Sequence, residues 1–322
     1  MTGSNGPIRV EVTRAGCVES LHEVDAVIVS TSGSVLESWG DPGRLVLPRS
    51  SVKPIQAVPL ITSGAADAFN LTDLELALAC SSHNAEPAHV SAVVRWLGMV
   101  GATPEDLKCG THPPLYGPAA FDLARSGVEP DASYNNCSGK HAGFLSVCRH
   151  EGLSFDRYLE ASHPLQRDSV TPALEQWCGI DLSGQVPGVD GCGIPVWPVP
   201  LSHLANGWVR MGAGRVGSAE YRLLAAMRSE PFYVAGTGRA CTRLILDSTG
   251  GTVVKTGAEG VFCGTVPDDG LGIALKVRDG ASRASGVVMA WILHSLGRFP
   301  ETDDEVVTNQ AGTVVGTIRV GT

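Results

Sequence analysis

Apolar and polar residues alternate at both ends of this chain and recur at helical spacing in the middle, a pattern that leaves few architectures open. Ile8 to Thr13, Ala26 to Ser30 and Val35 to Trp39 read as strands of an antiparallel meander. Thr252 to Lys255, Gly260 to Gly264, Gly272 to Val277 and Thr313 to Val320 are strand-like again, with an amphipathic helix from Ala281 to Leu296 among them. Between these ends, Val52 to Ile61, Thr72 to Ala79, Pro87 to Met99, Gly139 to Arg149 and Ala219 to Ser229 carry helical periods separated by loops rich in Pro and Gly. There is no internal repeat and no low-complexity linker. The economical architecture is therefore one α+β domain, an antiparallel sheet formed by both chain ends (about residues 1–65 and 240–322) with a helical lobe (about residues 66–239) inserted between them.

Composition narrows the function. With 322 residues, 43% hydrophobic and 18% charged, the chain can bury a sizeable core. The net charge of −9 and the absence of a Lys/Arg run make nucleic acid and anionic membranes poor partners, so the expected partner is a small molecule. Met1 to Pro7 has neither a charged nor an apolar leader segment, and no run of about eighteen apolar residues occurs, so the expectation is a soluble cytoplasmic protein. Nine scattered cysteines, an odd number, do not form a disulfide framework in such a setting. Most read as small buried apolar residues. Cys137 and Cys192 differ, because both sit in polar loops flanked by glycine.

The chain has five lysines against nineteen arginines, and three of the five lie inside short motifs. Arginine stays charged in any protein, whereas a desolvated lysine amine can act as a general base. Ser50-x-x-Lys53 begins where an extended segment gives way to a helix, which puts hydroxyl and amine one turn apart on one face. Alone, the motif reads more readily as an N-capping serine and a solvated lysine. It is followed, however, by Ser82-His83-Asn84 and Lys255-Thr256-Gly257, the order in which class A β-lactamases and penicillin-binding proteins place Ser-x-x-Lys, Ser-Asp-Asn and Lys-Thr-Gly. Two departures argue against a lactamase: His83 replaces the acidic residue, and Ser82 follows Ser50 after a short interval.

Cys137-x-x-Lys140-His141, with Cys192 on a second glycine turn, offers thiolates, an imidazole and an amine. Thiolate and imidazole favour zinc. Two loop thiols with no metal account for the same residues, and Asp190 could hold a substrate ammonium group instead.

Taken together, Leu47 to Gln56, Cys80 to Glu86, Asn135 to His141, Asp190 to Gly193 and Lys255 to Gly260 resemble the asparaginase II family of the Rhizobium etli type along nearly the whole chain. The resemblance implies a fold similar to serine β-lactamases and glutaminases, a homodimer, and hydrolysis of L-asparagine to L-aspartate and ammonia. It also implies two serine and lysine pairs at the substrate amide, Ser50 with Lys53 and Ser82 with Lys255, Ser50 being the nucleophile. A zinc site would fall on Cys137, Lys140 and Cys192, and Arg49, His141 and Asp190 would contact substrate or support the metal. Competing readings are a penicillin-recognising or glutaminase-type serine acyl hydrolase and a metal-dependent binding protein with an inactive site.

Overall fold

The computed structural model describes residues 5–300 and 305–321. The chain divides into two compact units, one made of Met1–Ser51, Pro198–Ala213 and Asp247–Thr322, the other of Val52–Trp197 and Gly214–Leu246.

The first unit is built on an antiparallel sheet to which both chain ends contribute. Its strands run in the spatial order Glu305–Thr308, Val314–Val320, Ile8–Arg14, Cys17–Ser30, Leu271–Val277, Val261–Val266 and Val253–Thr256, and Val35–Trp39 pairs with Cys17–Ser30 off this path. Val261–Val266 is buried at every residue and Leu271–Val277 at all but one, so the middle of the sheet is covered on both faces. Two helices pack against it, Leu201–Gly212 and Ser282–Ser295. The first approaches so closely that a Cβ at Gly272 would stand 2.1 Å from the Ala205 carbonyl oxygen. Only glycine fits there. Buried Asp25 accepts hydrogen bonds from Arg278, from Arg44 and from the Asp41 amide. Burial alone would raise the Asp25 pKa, but the hydrogen bond from Arg278 and the neighbouring charges lower it. This anion fixes the stretch that leads from the third strand toward Arg49.

Several expected elements change in extent. The second strand is longer than Ala26 to Ser30, beginning at Cys17, because its first half is mostly exposed and carries no apolar alternation to read. The helix expected over Val52 to Ile61 is two short ones, Lys53–Gln56 and Val58–Thr62. Pro59 explains the break, since it has no N–H to give to the helical ladder.

In the second unit Ser138–Glu151 is the central helix, buried continuously from Ser138 to Cys148. Asp73–Ala79, Pro87–Met99 and short helices between Lys53 and Ala68 pack around it. A capping box starts Asp73–Ala79, with Thr72 N and Oγ1 both donating to Glu75 Oε2 at 2.9 and 2.7 Å. The last turn of that helix meets the first turn of Ser138–Glu151, where a Cβ at Gly139 would stand 2.3 Å from the Leu78 carbonyl oxygen. This is why a glycine separates Ser138 from Lys140. The approach brings the loop after Asp73–Ala79, which carries Ser82, beside the turn that carries Cys137.

Candidate active site

Lys53 opens the first helix of the second unit and is only 1% exposed. Its Nζ donates to Ser82 Oγ at 3.0 Å and to the Ser81 carbonyl oxygen. The hydroxyl partner within this unit is thus Ser82, the serine that the family resemblance pairs with Lys255. A serine oxygen and a lysine nitrogen at hydrogen-bond distance, both buried, have the geometry that a nucleophile and its base require. Ser82 and its neighbours gain their rigidity from residues 234–239. Ser82 N donates to Val234 O at 3.0 Å and Asn84 N to Ala235 O at 2.9 Å. The Glu86 carboxylate accepts from Thr237 N at 2.8 Å and from Thr237 Oγ1 at 2.7 Å, and Arg239 Nη1 donates to Asn84 Oδ1 at 2.8 Å.

The cysteine loops supply a second buried cluster. Cys137 sits at the start of Ser138–Glu151, its amide donating to Asn135 Oδ1 at 2.8 Å. Cys192 sits in a tight turn closed by Gly193 N donating to Asp190 O at 2.8 Å, between the short paired strands Gly188–Val189 and Pro195–Val196. Lys140 Nζ donates to Cys192 Sγ at 3.0 Å. A hydrogen bond with Cys137, helped by the Lys140 ammonium, pulls the Cys192 pKa down to about 5, whereas the same hydrogen bond and burial push Cys137 up to about 12. Burial opposes the Lys140 charge, but the thiolate of Cys192 beside it, with Cys137, raises its pKa nonetheless. The metal-free cluster is therefore an ammonium and thiolate pair with a neutral thiol alongside.

Whether these groups suit a metal turns on their donor set. Among the described residues no group of three or more His, Cys, Asp or Glu side chains comes together to hold a metal ion. Any metal at this place needs Lys140 as third protein donor. Two sulfurs and one nitrogen already converge, and the 3.0 Å between Lys140 Nζ and Cys192 Sγ is close to the separation of about 3.5 Å that tetrahedral zinc bonds to N and S imply. The set fits zinc once the Lys140 and Cys137 protons are displaced.

His141 is buried next to Lys140. Tyr158 Oη lies 2.7 Å from its Nδ1 and itself accepts from Lys108 N at 3.0 Å, so the phenol hydrogen goes to Nδ1 and the imidazole hydrogen sits on Nε2. Nε2 has no hydrogen-bond partner among the described residues. Burial, then the Lys140 charge, holds the His141 pKa well below the ordinary histidine range. The Asp190 carboxylate is half-buried, accepts from Gly191 N at 2.6 Å, and its charge acts on both Lys140 and His141.

Lys53, Ser82, Cys137, Lys140, His141, Asp190 and Cys192 all belong to the second unit; Arg49, Ser50 and Lys255 belong to the first. Arg49 has φ +51°, a left-handed conformation that is strained for a residue with a Cβ, and it begins the tight turn Arg49–Val52 that holds half-buried Ser50. Next to it Ser51 is anchored within the same unit: its Oγ donates to Pro48 O at 2.7 Å, and Trp208 Nε1 donates to its carbonyl at 3.2 Å. Lys255 lies on the strand Val253–Thr256, buried, with Nζ donating to Thr256 O at 2.9 Å. Tyr158 and residues 234–239 were not legible as site residues, because neither forms a motif with the groups it touches.

The sequence model described as L-asparaginase II matches residues 10–320. No curated protein sequence matches the chain significantly. Among solved structures, D-alanine carboxypeptidase AmpC from Burkholderia cenocepacia is similar at 12% identity and a TM-score of 0.36, covering 81% of this chain and 91% of that one. The octameric penicillin-binding protein homologue from Pyrococcus abyssi is similar at 13% identity and a TM-score of 0.33, covering 87% and 74%. A class C β-lactamase in complex with cefoxitin is similar at 11% identity and a TM-score of 0.35, covering 88% and 93%. At such scores these likenesses decide nothing, whereas the family match spans almost every residue: the chain belongs to the L-asparaginase II family and is an amidohydrolase.

Proposed function

We propose that the protein hydrolyses the side-chain amide of L-asparagine to L-aspartate and ammonia, as an enzyme of the Rhizobium etli type. The observation that carries this reading is the buried contact of Lys53 Nζ with Ser82 Oγ at 3.0 Å in a chain of this family. As general base at that distance, Lys53 Nζ takes the serine proton as the oxygen attacks the amide carbon and passes it to the departing ammonia; it then takes a proton from the water that cleaves the serine ester, releasing L-aspartate and returning the hydrogen to the serine. The family resemblance gives the nucleophile's role to Ser50 and that of a second lysine to Lys255; the hydrogen bond to Lys53 favours Ser82 as the attacking serine, and the step is written for Ser82. Arg49, His141 and Asp190 are assigned to substrate contact or to support of the metal. His141, with its Nε2 hydrogen unpartnered, can donate to a substrate carboxylate or to a ligand of the cluster.

Zinc, where bound, would be held by Cys137, Lys140 and Cys192 and would supply a Lewis-acid centre for substrate positioning. A serine and lysine pair already provides the nucleophile, so a metal hydroxide is redundant. A homodimer in the cytoplasm completes the proposal; no helix among the described residues is long and apolar enough to cross a membrane.

Ammonia release from L-asparagine and L-glutamine, with ring opening of a chromogenic β-lactam followed by its absorbance, tests the reading. It predicts turnover of asparagine above the other two. Preference for glutamine or for the lactam, or no release from any amide, would overturn the substrate assignment.

A further inference from the structure

We infer that His83 is a positioning residue: in the neutral tautomer with hydrogen on Nε2 it ties the loop carrying Ser82 to the turn carrying Cys137, and so fixes the aim of the Ser82 hydroxyl. The inference rests on Ser82 and Lys53 being working groups of the amidohydrolase.

His83 stands where the comparable lactamase motif has an acidic residue, so its role needs an explanation of its own. The side chain is fully buried. Its Nδ1 lies 3.1 Å from the Ala85 amide, which can only donate, so Nδ1 accepts and the ring hydrogen is on Nε2. Nε2 lies 2.8 Å from Ser138 Oγ. That hydroxyl spends its single hydrogen on Ser133 O at 2.9 Å, and therefore accepts from His83. Each donor and acceptor in this chain, from Ala85 through His83 and Ser138 to Ser133, is used once and in one direction. The backbone joins in, with His83 N donating to Asn136 O at 3.2 Å.

Two bonds from one residue thus bridge the loop after Asp73–Ala79 and the start of Ser138–Glu151. Stacking fixes the plane of the ring, since His89 lies parallel to it at 5.1 Å between centroids and 9° between planes. Burial, before any other cause, keeps the His83 pKa well below the usual histidine range. The neutral tautomer therefore persists at working pH. Ser82 precedes this anchored ring by one residue, and Ser138 follows Cys137 by one. Loosening the link frees both loops, and a nucleophile displaced by about 1 Å can lose as much as about 100-fold in rate.

The test exploits side-chain length. In His83→Gln the amide N–H reaches the place of Nε2 and keeps the Ser138 bond; in His83→Asn the shorter amide reaches only the place of Nδ1. Ser138→Ala cuts the same bond from the other end with one hydroxyl removed, and it carries the test alone if His83→Asn does not fold. We expect His83→Gln to keep kcat within about threefold, and His83→Asn and Ser138→Ala each to lower kcat about tenfold with KM changed by less than about threefold. The double variant His83→Asn/Ser138→Ala should be no slower than the slower single. A wild-type kcat in Ser138→Ala, an equal loss in the Gln and Asn variants, or effects that multiply in the double would each overturn the link. Ser82→Ala, measured alongside, separates the layers. If it retains wild-type turnover, the premise and the link both fall; if it is inactive while Ser138→Ala and His83→Asn run at the wild-type rate, only the link falls.

Discussion

Two lysines in the second unit are buried to nearly the same degree, Lys53 at 1% and Lys140 at 2%, yet they hold their amines against different chemistry. Lys53 donates to a serine hydroxyl and a carbonyl oxygen, both neutral. Lys140 donates to Cys192, whose thiol ionises at about 5 and so faces it as a thiolate. A lysine on a hydroxyl can exchange a proton with that hydroxyl; a lysine locked to a thiolate keeps its own until a metal displaces it. The same residue type at the same burial is thereby fitted for proton transfer in one place and for charge or metal binding in the other. Which acceptor lies opposite decides the role.

Substituting the two lysines alike should pull these roles apart. Lys53→Met keeps the volume and apolar stem while removing the amine, and should lower kcat on asparagine by about 1,000-fold or more in a folded protein. Lys140→Met should leave kcat within about tenfold while metal content falls. Comparable losses of kcat in both variants, on preparations shown by circular dichroism to be folded, would erase the distinction.

Cys192→Ser sharpens the second half of the comparison. A contact made equally in ground and transition states affects KM and leaves kcat alone. Metal content should drop and KM rise by about tenfold or more, with kcat at saturation within about tenfold, a barrier change of about 1.4 kcal/mol. Metal analysis and steady-state kinetics on one preparation decide it. A fall in kcat of several orders of magnitude would place the metal in the chemical step.

The smallest effect concerns acid stability. His83 and His89, stacked beside Ser82, are both held below the ordinary value of 6.5, in each case chiefly by burial. Below about pH 6.5 the unfolded chain takes up protons that the folded chain refuses, so stability rises with pH through this range and is lost as pH falls. The thermal midpoint should fall between about pH 7 and 5, and His89→Gln should flatten that slope. A wild-type midpoint that is level over this interval would contradict the assignment of both rings as neutral.

Much of the sheet and several of the longer helices were legible because their signals are local, whereas Glu305–Thr308, Gly117–Ser126, Thr171–Cys178 and Ala240–Asp247 were not read. Pro87–Met99 and Ala219–Ser229 start at a proline and after a capping serine and have the predicted bounds. Leu201–Gly212 was overlooked although Leu201, Leu204, Ala205, Trp208 and Val209 repeat at helical spacing, because the proline-rich stretch before it reads as loop. It belongs with the sheet, inside the stretch expected to form the helical lobe. The site was legible as residue types but not as partners. Lys53 meets Ser82 across 29 positions and His83 meets Ser138 across 55, and no periodicity records such pairs. The motifs named the groups; folding chose the acceptors.

The most direct test of this account is a cycle on asparagine hydrolysis with Ser82→Ala, Lys53→Met and the double variant, each verified as folded. If Lys53 and Ser82 act as one unit, each single substitution removes most of kcat/KM and the double is no worse than the worse single. Effects that multiply in the double variant, or a Lys53→Met enzyme with wild-type turnover, would contradict it.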